Sequence, residues 1–394
     1  MNIKHICFIT PDYPAKNEPV YTFVKQLICS IAELGYKCSV IAPQSLTERL
    51  LKKRSSRPIF WQDPVKKGIV IDIYQPKVIS FSNLRLFGRN ISTYVVQKSV
   101  VKTFAEITPM PDVLYAHFWH SGVIAGMISK KYSVPFFVAS GESKIWVESL
   151  FTKKTIDNAL SDLCGVICVS TKNMNESIEL ALSTRDKMTV IPNAIDPNMF
   201  YKIDKDAARK KLGFNKTDFI IAFTGSFDYR KGIMRLDKAI KQVGKVKAIY
   251  IGAGELTPKG DEILFAGKLP HERICDYLNC ADVFVLPTIA EGCSNSILEA
   301  MACGLPIISS NLDFNDDILT ANDAIRINSM NVEEIKEAIN RLIDDDHLCR
   351  MMGKNALVHA KEFDINNRAI KVMSFIKNIL DGESEVQNDN QKIN

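Results

Sequence analysis

Short runs of β-branched and apolar residues alternate with amphipathic stretches along almost the whole chain, and this alternation restricts the fold more than any other feature. A strand, a helical stretch and a further strand form parallel sheets covered by helices. In the first half the candidate strands are residues 5–10, 38–42, 69–74, 113–116, 135–139 and 165–169. Between the first two, Val20, Phe23, Val24, Leu27, Ile28, Ile31 and Leu34 follow the 3.6-residue period of a helix. Gly35 suits the left-handed conformation that ends it. The pattern restarts with candidate strands at 219–224, 246–251, 262–266, 282–286, 305–309 and 324–327.

Six strands in each half predict two Rossmann-like domains, and 394 residues is ample for two cores. Between the halves lies Val190-Ile191-Pro192-Asn193-Ala194-Ile195-Asp196-Pro197, whose prolines limit regular structure. The reading is therefore a first domain over 1–190 and a second over 191–364. A helix over 365–382 has apolar spacing suited to packing across both, and 383–394, polar and without aromatics, is read as a disordered tail.

Hydrophobic residues make up 46% and charged residues 24%, a balance that argues against disordered and fibrous classes. The first apolar run stops at Pro11, too short for a signal-peptide core, and no segment approaches the ~18 uninterrupted apolar residues of a membrane span. A cytoplasmic protein is expected. The ten cysteines include no C-x-x-C pair and several sit in apolar runs, so reduced, buried thiols are expected rather than disulfides or zinc.

The segment from Val283 to Pro306 is the richest in chemistry. A buried strand ends at Pro287, a loop of small residues follows, and a helix is expected from about Asn295 to Gly304. The first amides of such a helix lack partners, so Gly292, Cys293, Ser294, Asn295 and Ser296 offer close approach to a diphosphate. Glu291 and Glu299 place two carboxylates beside it, and carboxylates accept hydrogen bonds from sugar hydroxyls. The first strand of the second half ends in Gly225-Ser226-Phe-Asp-Tyr-Arg230-Lys231-Gly232, a glycine turn with two cations.

These motifs resemble the large family 4 of retaining glycosyltransferases. Its two glutamates separated by seven residues, followed by an Ala-Met-Ala-x-Gly-x-Pro run, match Glu291, Glu299 and residues 300–306. The resemblance implies an α/β protein of GT-B architecture, two Rossmann-like domains with parallel sheets facing across a cleft. It assigns Glu291 to the donor sugar hydroxyls, Glu299 to the ribose of the nucleotide and Lys231 to the diphosphate. Where the family has an arginine after the first glycine, this chain has Ser226, and Arg230 is the replacement cation. Gly267 and Leu269, in Leu264-Phe-Ala-Gly267-Lys-Leu269-Pro270-His-Glu, fall in the run that lines the base and ribose pocket in the family. In Asp112-Val-Leu-Tyr115-Ala-His117-Phe-Trp-His120, His117 matches the histidine that faces the donor sugar near its anomeric carbon. The loop Thr10-Pro-Asp-Tyr-Pro, lying near the acceptor in the family, is similar to that of polysaccharide-assembly members.

The implied reaction is sugar transfer with retention, from a nucleotide-sugar, UDP-sugar favoured over GDP-sugar, to a glycan or lipid-linked glycan. No metal and no cofactor are expected. Asp204-Lys-Asp206 and Asp344-Asp-Asp346 fit an Asp-x-Asp pattern but lie in charged stretches read as solvated surface. A nucleotide-sugar epimerase of the same fold and a non-catalytic nucleotide- or sugar-binding protein stay open as alternatives. A NAD-dependent oxidoreductase is disfavoured because neither half has G-x-G-x-x-G after its first strand. Net charge is only +5, yet Arg49–Lys102 holds twelve lysines and arginines against Asp63 and Asp72, interleaved with Leu84, Leu86, Phe87, Ile91, Tyr94 and Val95. That region is read as a surface for peripheral docking on the anionic inner face of the membrane, with no nucleic-acid partner expected.

Overall fold

The computed structural model describes residues 2–392 except 16, 17, 19, 67, 82–84 and 87–88; the side chains of 85, 86, 89 and 383–392 are also outside its description. The chain separates into two compact units, Met1–Ile191 with Arg368–Asn394, and Pro192–Asn367.

The first unit is built on an eight-stranded sheet. Its order is Met188–Val190, Leu163–Cys168, Phe136–Ser140, Val113–His117, His5–Ile9, Lys37–Ile41, Ile69–Tyr74 and Phe60–Lys66. All neighbours pair in parallel except the last two, which are antiparallel. Strand order reverses between His5–Ile9 and Val113–His117, the crevice where α/β sheets bind ligands. Both strands are buried throughout, which explains their continuous apolar sequence. The expected helix runs Thr22–Glu33, buries Val24, Leu27, Ile28 and Ile31, and is followed by Gly35 at φ +95°.

The second unit holds a six-stranded, wholly parallel sheet in the order Ile263–Gly267, Lys247–Ile251, Ile220–Thr224, Val283–Leu286, Ile307–Ser310 and Ala324–Ile327. This is the doubly wound order, with its switch between Ile220–Thr224 and Val283–Leu286. The helix Asn295–Ala302 lies deep in this unit, with every residue from Ser296 to Ala302 buried. Gly304, at φ +70°, terminates it.

The twelve strands expected from sequence are present. Among the described residues six further strands were not expected: four two-residue strands, Gln44–Ser45 with Lys77–Val78 and Arg85–Leu86 with Arg89–Asn90, and two at the edges of the large sheet. Phe60–Lys66 is an edge strand with only Asp63 fully buried, and Pro64 sits where an edge tolerates the missing amide. Met188–Val190 is a three-residue strand at the opposite edge.

The last helix spans Ile365–Lys392. Val372, Met373, Ile376 and Leu380 are buried, and Phe375 meets Phe137 with ring centroids 6.3 Å apart. Gly165 makes room for it, because a Cβ there would lie 2.7 Å from Ile379. The helix's last turns cover residues 383–392. Glu and Gln are good helix formers, and extending an existing helix avoids the cost of nucleating one. Among the described residues no disulfide joins any of the ten cysteines.

His117 ends its strand at 3% exposure. Burial, then the nearby Arg368 charge, pushes it down to about 3, so the ring is neutral at ordinary pH. His120, stacked between Phe118 and Trp146 at 6.2 and 5.9 Å, is pushed down to about 4 by burial. An unfolded chain protonates these rings below about pH 6.5. The folded unit does not until about pH 4 for His120 and about pH 3 for His117, so stability is lost as pH falls through that window, by at most on the order of 3 to 5 kcal/mol per ring. Trp61, Trp119 and Trp146 are the chain's three tryptophans and all lie in this unit, so their fluorescence during urea unfolding follows it alone. The midpoint should drop from pH 7.5 to pH 5, and the drop should be smaller in His117→Gln. An equal drop in both proteins would refute the buried neutral histidine.

Candidate functional site

At the switch of the second sheet, the loops after Ile220–Thr224 and Val283–Leu286 meet edge to edge. Gly232, at φ +76°, starts the helix Ile233–Val243, and a Cβ there would stand 2.3 Å from the Pro287 carbonyl oxygen. Gly252, at φ +148°, follows the neighbouring strand, and its Cβ would fall 1.8 Å from the Gly225 carbonyl oxygen. Glycine at these two places lets three strand-end loops approach at backbone distance. Arg235 links them from beneath, donating to the carbonyls of Pro287 (2.9 Å) and Tyr229 (3.0 Å).

On this platform Lys231 Nζ sits 2.5 Å and Arg230 Nη1 3.0 Å from Glu291 Oε1, and Thr288 Oγ1 donates to the same oxygen at 2.9 Å. Arg230 also donates to the Ala290 carbonyl at 2.8 Å. The carboxylate is 11% exposed and Lys231 12%, while Arg230, at 37%, reaches the surface. Among the described residues no protein donor reaches Glu291 Oε2. Ser226 donates to Asp228 Oδ2 at 2.5 Å, and Asp228 Oδ1 accepts the Lys231 amide at 2.8 Å. Asp228 thereby shapes the turn that presents Lys231, while Arg230 shares a carboxylate with it.

Gly292, Cys293 and Ser294 lead into the helix Asn295–Ala302. Ser294 occupies the N-cap position but gives the helix no side-chain cap; its Oγ lies 3.1 Å from that of Ser296. The amides of the first turn consequently have no side-chain acceptor. Among the described residues the buried Asn295 Oδ1 has no hydrogen-bond partner, and the Cys293 carbonyl accepts from Asn193 at 3.2 Å. One turn into the helix, Glu299 Oε1 meets His271 Nε2 at 2.9 Å. Gly267 closes its strand, its carbonyl accepting from the Gly252 amide at 2.8 Å, and half-buried Leu269 lies between it and the helix His271–Leu278.

The structure thus gathers Gly225, Ser226, Arg230, Lys231, Glu291 and residues 292–296 around one loop junction, with Glu299 at the next turn of helix. Three partners were not singled out from sequence: Thr288, Asp228 and His271. Each is visible only through the side chain it contacts. Of the Asp-x-Asp residues, Asp204 and Asp345 cap helices through the amides of Ala207 and Leu348, while Asp206 and Asp346 pair with Lys216 and Arg350.

The first unit carries its own candidate site, a cavity of about 620 Å³ whose lining includes Thr10, Asp12, Tyr21, Glu48, Arg49, His120 and Trp146. Trp146 is 51% exposed beside the His120 ring. Arg49, 8% exposed, pairs with both oxygens of Glu18, and Arg57, 7% exposed, with Asp12 and Glu18. Among the described residues nothing hydrogen-bonds to His117 Nε2 or the buried Tyr115 hydroxyl, their rings 5.2 Å apart.

The family model described as Glycosyltransferase Family 4 matches residues 20–199, and that described as Glycosyl transferases group 1 matches residues 204–359. A Bacillus subtilis glycosyltransferase named for teichuronic acid biosynthesis is 27% identical over 355 residues, covering 85% of this chain and 88% of that one. Among solved structures, sucrose-phosphate synthase from Thermosynechococcus elongatus superposes with a TM-score of 0.76 at 17% identity, covering 96% of this chain and all of that one. Anabaena HepE in complex with UDP does so with a TM-score of 0.70 at 17% identity, covering 95% of this chain and all of that one. With two parallel-sheet units of this topology and both family models matched in sequence, the chain belongs to glycosyltransferase family 4 and has the GT-B fold.

Proposed function

We propose that the chain transfers a sugar from a nucleotide-sugar, a UDP-sugar, to a glycan or lipid-linked glycan, with retention of anomeric configuration and without a metal ion. The observation that carries this reading is the meeting of Lys231 and Arg230 on the Glu291 carboxylate beside an uncapped helix N-terminus. The Glu291 carboxylate offsets one of the two cations, and Asp228 stands close to both. A diphosphate arriving there finds Lys231 and the free amides of the Asn295–Ala302 helix, together a sufficient cationic field to replace a metal. Glu291, with Oε2 unoccupied by protein donors, accepts a hydroxyl of the donor sugar, and Glu299 accepts those of the ribose.

In the transfer, the bond from the anomeric carbon to the diphosphate oxygen breaks and one to the acceptor oxygen forms on the same face. The acceptor's proton passes to the departing diphosphate. Negative charge developing on that leaving group is what Lys231, Arg230 and the helix amides stabilise. His117, neutral across ordinary pH, is a hydrogen-bonding group rather than a proton donor.

The second unit is the donor domain in this reading and the first the acceptor domain. The hydroxyl-rich cavity beside Trp146 offers a ring face for an acceptor sugar. HepE, solved with UDP, supports the choice of uridine, and the Bacillus subtilis relative supports a role in cell-surface polysaccharide biosynthesis.

The cytoplasmic, peripheral location also belongs to the proposal. Among the described residues no helix is long and apolar enough to cross a membrane. Of the basic region, Arg49 and Arg57 are buried in ion pairs, so docking falls to exposed Lys53, Arg54, Lys77, Lys98 and Lys102, with exposed Leu50, Leu51, Ile79, Phe81 and Tyr94 among them. Leu84 and Phe87, and the side chains of Arg85, Leu86 and Arg89, lie outside the described residues.

Calorimetric titration in EDTA with UDP and GDP tests the donor site. Saturable UDP binding is expected, weakened about tenfold or more by Lys231→Ala and by Glu299→Ala, as for lost charge-assisted hydrogen bonds. Silence from both nucleotides, with the protein folded, overturns the reading. Glu291→Gln separates sugar from diphosphate recognition. It should leave UDP affinity equal or tighter, because Lys231 is released, while turnover of a panel of UDP-hexoses falls on the order of 100-fold. Loss of UDP affinity equal to that of Lys231→Ala would contradict the role given to Glu291.

A further inference from the structure

We infer that His271 is a positioning residue of the donor site, holding the Glu299 carboxylate in place for the nucleotide through a hydrogen bond from Nε2. The inference rests on the reading that Glu299 accepts hydroxyls of the nucleotide. Its basis is geometric. His271 opens the helix His271–Leu278 directly after Pro270, and Glu299 lies in the helix Asn295–Ala302, so their 2.9 Å contact joins two helices that flank the site. The imidazole packs against the Phe200 ring at 5.2 Å, which fixes its plane. A carboxylate only accepts hydrogen bonds, so Nε2 must carry the proton. Among the described residues His271 is the one protein donor to this carboxylate, and it occupies Oε1, leaving Oε2 for a ligand hydroxyl.

The pair is also a charge device. Both partners are mostly buried, at 18% and 11% exposure. Burial alone lowers the histidine's affinity for a proton, but the hydrogen bond and charge of Glu299, with a smaller contribution from Glu272 on its own helix, raise it above the ordinary value. Beyond the far end of the Glu299 helix stand Cys303 and Lys202, whose ammonium lies near Gly304. While His271 is protonated, the Glu299 carboxylate is neutralised locally. Once the proton is lost, an uncompensated negative charge faces the dianionic or trianionic ligand, and the hydrogen bond drops from charge-assisted to neutral strength. Nucleotide affinity therefore falls as pH rises through the titration of His271.

The test is calorimetric titration of the full chain with UDP and with GDP at pH 6.5, 7.5 and 8.5, for the native protein, H271Q, H271K and E299Q. The nucleotide that binds should lose roughly three- to tenfold in affinity from pH 6.5 to 8.5 in the native protein. H271Q should be weaker at pH 6.5 and respond less to pH; H271K, permanently charged, should keep affinity across the range. Comparing native protein with H271Q cancels the ionisation of the nucleotide itself. An unchanged pH profile in H271Q, with E299Q weakening binding, overturns this inference and leaves the donor reading standing. If E299Q binds as tightly as the native protein, or if neither nucleotide binds, the reading of Glu299 fails and the inference falls with it.

Discussion

Parallel pairing is the constraint from which the rest of the structure follows. Parallel strands cannot be joined by tight turns; each needs a crossover, which delivers every strand end and the following helix start to the same edge of the sheet. In the second unit that edge collects the loops after Thr224, Ile251, Gly267 and Leu286. Reversal of strand order between Ile220–Thr224 and Val283–Leu286 spreads two of them apart in direction while keeping their backbones in contact at Gly232 and Pro287. Lys231 and Glu291 meet there because the topology leaves them no other place, and the first turn of the Asn295–Ala302 helix points into the same junction.

Electrostatics then explains why the junction is built from charges. A pair as buried as Lys231 and Glu291 gains little net stability, because desolvation offsets most of its attraction. The same low-dielectric setting strengthens the field felt by an incoming diphosphate. A cluster of two cations and two carboxylates, Lys231 and Arg230 with Glu291 and Asp228, beside helix amides that no side chain caps, is poor material for holding a fold together, and under the proposed reading its cations and amides are what an anion meets. The pair His271 and Glu299 extends the principle one helical turn further, since it compensates a buried carboxylate without using the oxygen that a ligand needs.

Much of this was legible in the sequence. Strands buried on both faces read as continuous apolar runs, which is why the central strands of both sheets could be located, while the edge strands Ile263–Gly267 and Ala324–Ile327 were found through the regular strand–helix alternation. Phe60–Lys66 escaped because an edge strand mixes exposed and buried positions and here includes Pro64. Around the candidate site, Glu291, Glu299 and Lys231 stand in a local pattern of glycine, proline and small residues that spacing alone reveals. His271 does not: nothing in the order of residues ties it to a glutamate on another helix. Charge counting failed in a related way between Arg49 and Lys102. Composition shows twelve cations, but only the folded chain shows that Arg49 and Arg57 are spent on Glu18 and Asp12.

The central claim is that a nucleoside diphosphate binds where Lys231 and the uncapped helix converge. A crystal structure of the protein with UDP, grown in EDTA, tests it most directly. The account predicts terminal phosphate oxygens at ~3 Å from Lys231 Nζ and from the first amides of the Asn295–Ala302 helix, with the ribose hydroxyls on Glu299. UDP found elsewhere, with Lys231 still closed on Glu291, would contradict it.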